Sequence, residues 1–278
     1  MFPTCKINPR SIVAASRTFH RSCTICQKDT VDKSEIDHFV KLSEDWWNPN
    51  GKMRPLMSMN DLRVPFVRDG LVNTKVIDEE KGKTAKYLEG LKILDVGCGG
   101  GFFSVPLSRL GADVTGIDPT HELVQVARAY VEKNLPEAKI KFENSTIEEH
   151  AASNGDKYDV LVCSEVIEHV SAKESFVKSC VSTVKPGGSL FYTTISQTFL
   201  AWFLAIIVAE NIIRLPPKGT HQYEKLITPR DLTRILEGAG SRVLTINGMQ
   251  YNPFNNRWYW CPNKSVNYAL HAVKSKKT

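Results

Sequence analysis

ILDVGCGGGFFSVPLSRLGADVTGID, residues 93–118, decides the fold. It opens on an apolar run that reads as a strand, passes through four glycines within five residues, and closes on a second strand-like run, VTGID. A glycine-rich turn between a buried strand and a helical stretch is the signature of the first βα unit of an open α/β sheet. In such sheets ligands sit beyond the carboxyl ends of the strands, where the chain leaves the sheet.

Working outward, the alternation continues. Strand-like runs are LKILDV, DVTGID, KIKFEN, YDVLVCSE, GSLFYTTI, RVLTING and VNYALHAV, and most are separated by helical stretches such as ELVQVARAYVEK, AKESFVKSCVSTV and TPRDLTRILEGAG. This predicts a Rossmann-like, seven-stranded, mostly parallel α/β sheet. Upstream, SEIDHFVKLSEDWW (34–47) reads as a helix capped by Ser34 and broken by the NPNG that follows. Residues 31–85 are expected to form a helical lid and residues 86–278 the catalytic domain. An apolar insertion at 198–215 interrupts that domain. Its core, TFLAWFLAIIVAENII, is short of the ~20 apolar residues of a bilayer span. A buried helix, a helix on a membrane surface and a roof over a pocket for a greasy substrate all fit it.

The net charge is +6, but residues 1–28 carry Lys6, Arg10, Arg17, Arg21 and Lys28 with no acid, so +6 less these five leaves +1 for the rest. The body therefore has no nucleic-acid footprint. The acid-free, Arg- and Ser-containing residues 1–30 read as a mitochondrial transit peptide, with cleavage expected between residues 17 and 23. The seven cysteines are odd in number and lie mostly in apolar runs, which suits reduced, buried thiols. Cys23-x-x-Cys26 lacks a second pair and is read as chance spacing.

The glycine loop carries the first chemistry. Gly97 and Gly99 fit a dinucleotide loop, but its third glycine position is Phe102, and Asp95 lies two residues before Gly97. A carboxylate there repels a pyrophosphate and attracts a cation. S-adenosylmethionine (AdoMet) carries an ammonium and a sulfonium and no phosphate. Asp118, at the end of the second strand, stands where an acid accepts hydrogen bonds from ribose hydroxyls. The second centre is SEVIEHV, after the fourth strand. A helical turn starting at Glu165 would set Glu165, Glu168 and His169 at i, i+3 and i+4, on one face. Two carboxylates and an imidazole can hold a divalent cation that acidifies a phenol; alternatively His169 is a general base. His150 reads as a surface or packing residue, and His221 as a residue of the substrate mouth.

DVGCGGG followed by VTGID resembles the Class I AdoMet-dependent methyltransferases. DWWNPNGKMRPLMSMNDLR, EEHA, SEVIEHV, VKPGGSLFYTTI, PKGTH, YNPFNNRW and VNYALHA narrow the resemblance to the ubiquinone-biosynthesis O-methyltransferases of bacteria and mitochondria, over about residues 36–274. The resemblance implies AdoMet contacts at Gly97 and Asp118, with Asp95 and Gly99 in the same loop. It also implicates Arg63, whose expected role is a charge-assisted bond from the lid to the AdoMet carboxylate. Ser164 stands where bacterial relatives carry Met, which favours a backbone contact there. The resemblance further implies Mg²⁺ at Glu165, Glu168 and His169, and polyprenylated catechol and demethylubiquinol-type substrates in ubiquinone synthesis. A peripheral position on the matrix face of the mitochondrial inner membrane, within a multi-subunit biosynthetic complex, is implied as well. Two rivals stand beside it: an NAD-dependent oxidoreductase, against which Phe102 argues, and a non-catalytic scaffold, against which the intact acidic sets argue.

Overall fold

The computed structural model describes residue 40, residues 45–196 and residues 226–276. The expected transit peptide, most of the Ser34-capped helix, Cys5, Cys23, Cys26, the apolar 198–213 stretch and His221 lie outside the described residues.

The seven expected runs all form strands of one sheet. β1 (Lys92–Val96), β2 (Asp113–Asp118), β3 (Ile140–Asn144), β4 (Tyr158–Ser164) and β5 (Val184–Ile195) are parallel, while β6 (Ser241–Asn252) and β8 (Asn267–Lys274) complete the expected set. An eighth strand, β7 (Arg257–Cys261), adds an antiparallel edge beside β6. The order is β3-β2-β1-β4-β5-β8-β6-β7, with β8 antiparallel to both β5 and β6. RWYWC is rich in aromatic residues suited to a pleated surface, and the turn at 253–256 folds it back on β6.

Helices cover both faces. α1 (Arg54–Ser58), α2 (Asn60–Asn73) and α3 (Glu79–Gly82) precede the sheet; α4 (Ser104–Arg109), α5 (His121–Asn134), α6 (Ile147–Ser153), α7 (Lys173–Thr183) and α8 (Pro229–Gly238) follow strands. None is long and apolar enough to cross a membrane. The period-2 alternation of β1 sorts its side chains: Leu94 and Val96 join the cluster with α7 and α8 residues Phe176, Val177, Leu232 and Leu236. Ile93 joins Phe66, Val67 and Leu71 of α2 and Leu107 of α4 on the other face. Asp95 shares that second face, at the end of the strand. Its carboxylate is thus buried beneath the helices that precede the sheet.

Four described cysteines are free thiols; Cys98, Cys163 and Cys180 are buried, and burial pushes each above the usual thiol range.

Candidate active site

One cleft opens at the carboxyl ends of β1, β2 and β4, with an empty volume of about 1030 Å³ counted out to its mouth. Its lining includes Trp46, Arg63, Asp95, Gly97, Gly99, Phe103, Asp118, Thr120, Ser164, Glu165 and His169.

The glycine loop is shaped from two sides. Gly97, Gly99 and Gly101 have positive φ angles of 68°, 53° and 92°, which side chains disfavour. Sterics add to this. A Cβ on Gly97 would lie 2.4 Å from Val166, and one on Gly100 would lie 2.3 Å from Trp46. The bare backbone therefore admits the Val166 and Trp46 side chains. Phe102, at the position of a dinucleotide loop's third glycine, stacks on Trp46 at 5.2 Å. Trp47 donates from Nε1 to the Gly100 carbonyl at 3.0 Å and stacks on Tyr130 at 3.5 Å.

Asp95 accepts from Ser104 Oγ at 2.5 Å. Burial raises its pKa to about 6, against the opposing pull of the Ser104 bond and of Arg63. Asp118 uses one oxygen for the Gly99 amide (2.9 Å) and the other for the Thr120 amide (2.8 Å), so it clamps the loop to the start of α5. Burial raises its pKa too, while those two backbone bonds oppose the rise. Arg63 reaches the cleft from α2. Its Nε donates to Asn60 Oδ1 at 2.7 Å, Nη1 to Ser164 Oγ at 2.7 Å and Nη2 to the Leu56 carbonyl at 3.3 Å. The guanidinium lies 4.3 Å above the Phe103 ring. Burial lowers its pKa to about 10, with Asp95 and Glu165 holding it up, so it stays charged at neutral pH. Asn60 then donates from Nδ2 to the Phe102 carbonyl at 2.8 Å, tying α2 to the glycine loop. Ser164 engages its side chain, not only its backbone: Oγ meets Arg63 and also Thr193 Oγ1 at 2.6 Å.

The turn after β4 departs from the expected helical one. Glu165 is left-handed at φ +57°, its amide bonded to the Thr193 carbonyl at 2.9 Å, and only Ile167–His169 form a 3₁₀ turn. Successive residues of a 3₁₀ turn are about 120° apart, so Glu168 and His169 leave it on different sides. Glu165 and His169 line the cleft. Glu168 is buried and accepts from Thr194 Oγ1 at 2.8 Å through Oε2. Burial, and then Glu165, push its carboxyl well above the usual range. The premise of three ligands on one helical face is therefore corrected. Among the described residues, no group of three or more His, Cys, Asp or Glu is arranged to hold a metal ion. As placed, Glu165, Glu168 and His169 do not fit an ion.

His150 lies outside the cleft, packed in the core with Nδ1 3.0 Å from Glu143 Oε2 and Nε2 2.8 Å from Tyr158 OH. Sequence reading missed Trp46, Asn60, Ser104 and Thr193. For Asn60 the signal was present, because Asn60 and Arg63 stand at i and i+3 on one helix.

A family model described as a methyltransferase domain matches residues 74–246. A mitochondrial ubiquinone biosynthesis O-methyltransferase of Rattus norvegicus is 46% identical over 248 residues, 89% of this chain and 71% of that protein. The Homo sapiens protein of the same name is 46% identical over 248 residues, 89% of this chain and 66% of its own length. A ubiquinone biosynthesis O-methyltransferase of Rhizobium leguminosarum bv. trifolii (strain WSM2304) is 39% identical over 248 residues, covering 89% of this chain and 96% of that protein. Among solved structures, the magnesium protoporphyrin IX methyltransferase of Synechocystis PCC 6803 with bound SAH shares the fold. Its TM-score is 0.61 at 24% identity, over 88% of this chain and all of that one. A glycine loop between two buried aspartates, on a sheet of this order, agrees with relatives matched along nearly nine-tenths of the sequence: the chain belongs to the ubiquinone biosynthesis O-methyltransferases.

Proposed function

We propose that the protein transfers a methyl group from AdoMet to a ring hydroxyl of polyprenylated catechol and demethylubiquinol-type intermediates of ubiquinone synthesis. It does so at the matrix face of the mitochondrial inner membrane, within a multi-subunit biosynthetic assembly. The observation that carries the chemistry is that the predicted donor-binding and acid–base residues line one cleft. Its lining brings Arg63, Asp95 and Asp118 together with Glu165 and His169.

AdoMet, when bound, supplies a methyl carbon on a positively charged sulfur. The protein's own groups suit it: buried Asp95 for the ammonium, Arg63 for the carboxylate, Asp118 for the ribose hydroxyls. A phenol with an ordinary pKa near ~10 is mostly protonated at neutral pH and is a poor nucleophile. His169 takes the ring hydroxyl proton as the O–C bond forms and the S–C bond breaks. General-base help of this kind contributes about 10²–10⁴-fold. Names of relatives from rat and human support the substrate class and the mitochondrial setting, as do residues 1–30.

The test is radiolabelled methyl transfer from AdoMet to a short-tailed catechol, with and without chelator. His169→Asn should lower kcat at least a hundredfold while S-adenosylhomocysteine (AdoHcy) affinity stays within about threefold. Activity lost in chelator and regained with Mg²⁺ would show that Glu165, Glu168 and His169 rearrange around an ion. A folded protein that binds AdoHcy yet methylates no catechol would overturn the substrate assignment, and one that binds NAD instead would overturn the donor.

A further inference from the structure

We propose that Thr193, which does not line the cleft, is a positioning residue for the methyl donor: it orients Ser164, and through Ser164 it holds the Arg63 guanidinium for the donor's carboxylate. The inference rests on the donor-carboxylate role given to Arg63 above and deepens it.

The geometry begins in β5. Thr193 and Thr194 are consecutive strand residues, so their side chains leave the sheet on opposite faces. Thr194 Oγ1 donates to Glu168 Oε2 at 2.8 Å on one face. Thr193 shares the other face with Phe191, which packs on Phe66 of α2 at 5.6 Å. Thr193 is buried and stands in register with Ser164 of β4, and the two hydroxyls meet at 2.6 Å. The proton order along this contact has a direction. Thr193 Oγ1 donates to Met59 Sδ at 4.0 Å, so the proton between the two hydroxyls belongs to Ser164. Arg63 can only donate, so Ser164 Oγ accepts from its Nη1 at 2.7 Å. The chain of bonds closes on itself, because Met59 immediately precedes α2 and its carbonyl accepts the Arg63 amide at 3.0 Å.

Arg63 needs such a hold. Its three acceptors are Asn60 Oδ1 on α2 itself, the Leu56 carbonyl in α1 and Ser164 Oγ. Of these, Ser164 alone belongs to the sheet. These bonds use one N–H on each guanidinium nitrogen, so each Nη keeps a second N–H for a ligand. A serine whose proton has a fixed acceptor keeps its lone pair on Nη1; without Thr193 Oγ1 that hydroxyl turns freely. Arginine is a long, rotamer-rich side chain, and ordering it only when the ligand arrives weakens affinity. Thr193 also accepts the Glu165 amide at 2.9 Å, but through its backbone carbonyl, which a side-chain substitution leaves in place.

The test is calorimetric titration of the full chain with AdoHcy and with decarboxylated AdoHcy, which keeps the ammonium and lacks the carboxylate. Thr193→Val keeps the shape and removes the hydroxyl. It should weaken AdoHcy about three- to tenfold and the decarboxylated compound by less than about twofold. Thr193→Ser should restore AdoHcy affinity. Thr194→Val, on the opposite face, should leave the ratio of the two affinities unchanged. In turnover, Thr193→Val should raise KM for AdoMet and keep kcat at saturation. Ser164→Ala/Thr193→Val removes both hydroxyls together and leaves neither unpartnered, so it keeps the test open if Thr193→Val does not fold. That pair should lose no more AdoHcy affinity than Ser164→Ala alone, and a further loss would overturn the inference. Equal weakening of both compounds by Thr193→Val, or no rescue by serine, would overturn it while Arg63→Ala still weakens AdoHcy selectively. Arg63→Ala that weakens both compounds alike would overturn the carboxylate role of Arg63 itself, and this inference with it.

Discussion

Asp95→Asn should make the ligand-free protein more stable and a worse methyltransferase. Asp95 is 2% exposed, and burial raises its pKa from an ordinary 3.8 to about 6. In the unfolded chain the carboxyl ionises near 3.8, while in the folded one it holds its proton until about 6. Between those values the native state binds more protons, so stability falls as pH rises, and the loss is complete above about 6. At 1.36 kcal/mol per pH unit, this amounts to about 3 kcal/mol at pH 7. Asparagine mimics the protonated acid and can still accept from Ser104. The stability difference between variant and wild type should therefore start near zero at pH 4 and grow to about 3 kcal/mol by pH 7. Urea titrations across that range measure it. AdoHcy affinity, by calorimetry at pH 7, should drop at least tenfold, because the donor's ammonium loses its anionic partner. An Asp95→Asn protein less stable than wild type at every pH, with an unchanged pH slope, would refute the reasoning.

Two further outcomes follow from the lid. Gly100 has no positive φ, and the atoms nearest to the new methyl of Gly100→Ala belong to the Trp46 ring, the first at 2.3 Å. It should cost about 1–3 kcal/mol by overpacking. Part of that should return in the Gly100→Ala/Trp46→Leu pair, and additive losses in a denaturation cycle would contradict the contact. Asn60→Ala leaves Arg63 Nε and the Phe102 carbonyl without their partner, at a cost of about 1–3 kcal/mol. It should weaken AdoHcy more than a decarboxylated analogue that cannot use Arg63; equal weakening of both would make Asn60 merely structural.

Much of this was legible in the residues. Period-2 runs and the glycine punctuation announce the parallel strands, and Asp95 and Asp118 fall at strand ends because the strands stop there. β7 was hidden because its five residues sit behind an irregular Pro- and Asn-rich turn, where neither periodicity nor length gives a strand signal. The acidic turn misled for a different reason. Glu has no preference for the left-handed region, so nothing in SEVIEHV signals that Glu165 adopts it and that the helical spacing breaks down. Trp46 also escaped notice. Its place over Gly100 depends on a contact between residues far apart in sequence, which local pattern cannot supply.

The lid's anchors span most of the polypeptide. Trp258 reaches Pro55 across 203 positions, Ser58 meets Asn256 across 198, and Arg63 meets Ser164 across 101. Such distant pairings close large loops before they return any stabilisation, which slows folding. A polypeptide released before its last hairpin would keep β1 to β5 and the Arg63–Ser164 tie, yet would lack both bonds that hold α1 to residues 256–258. In refolding experiments, the signal from Trp258 against α1 should consequently rise after the sheet's own far-UV signal, as the latest event to settle.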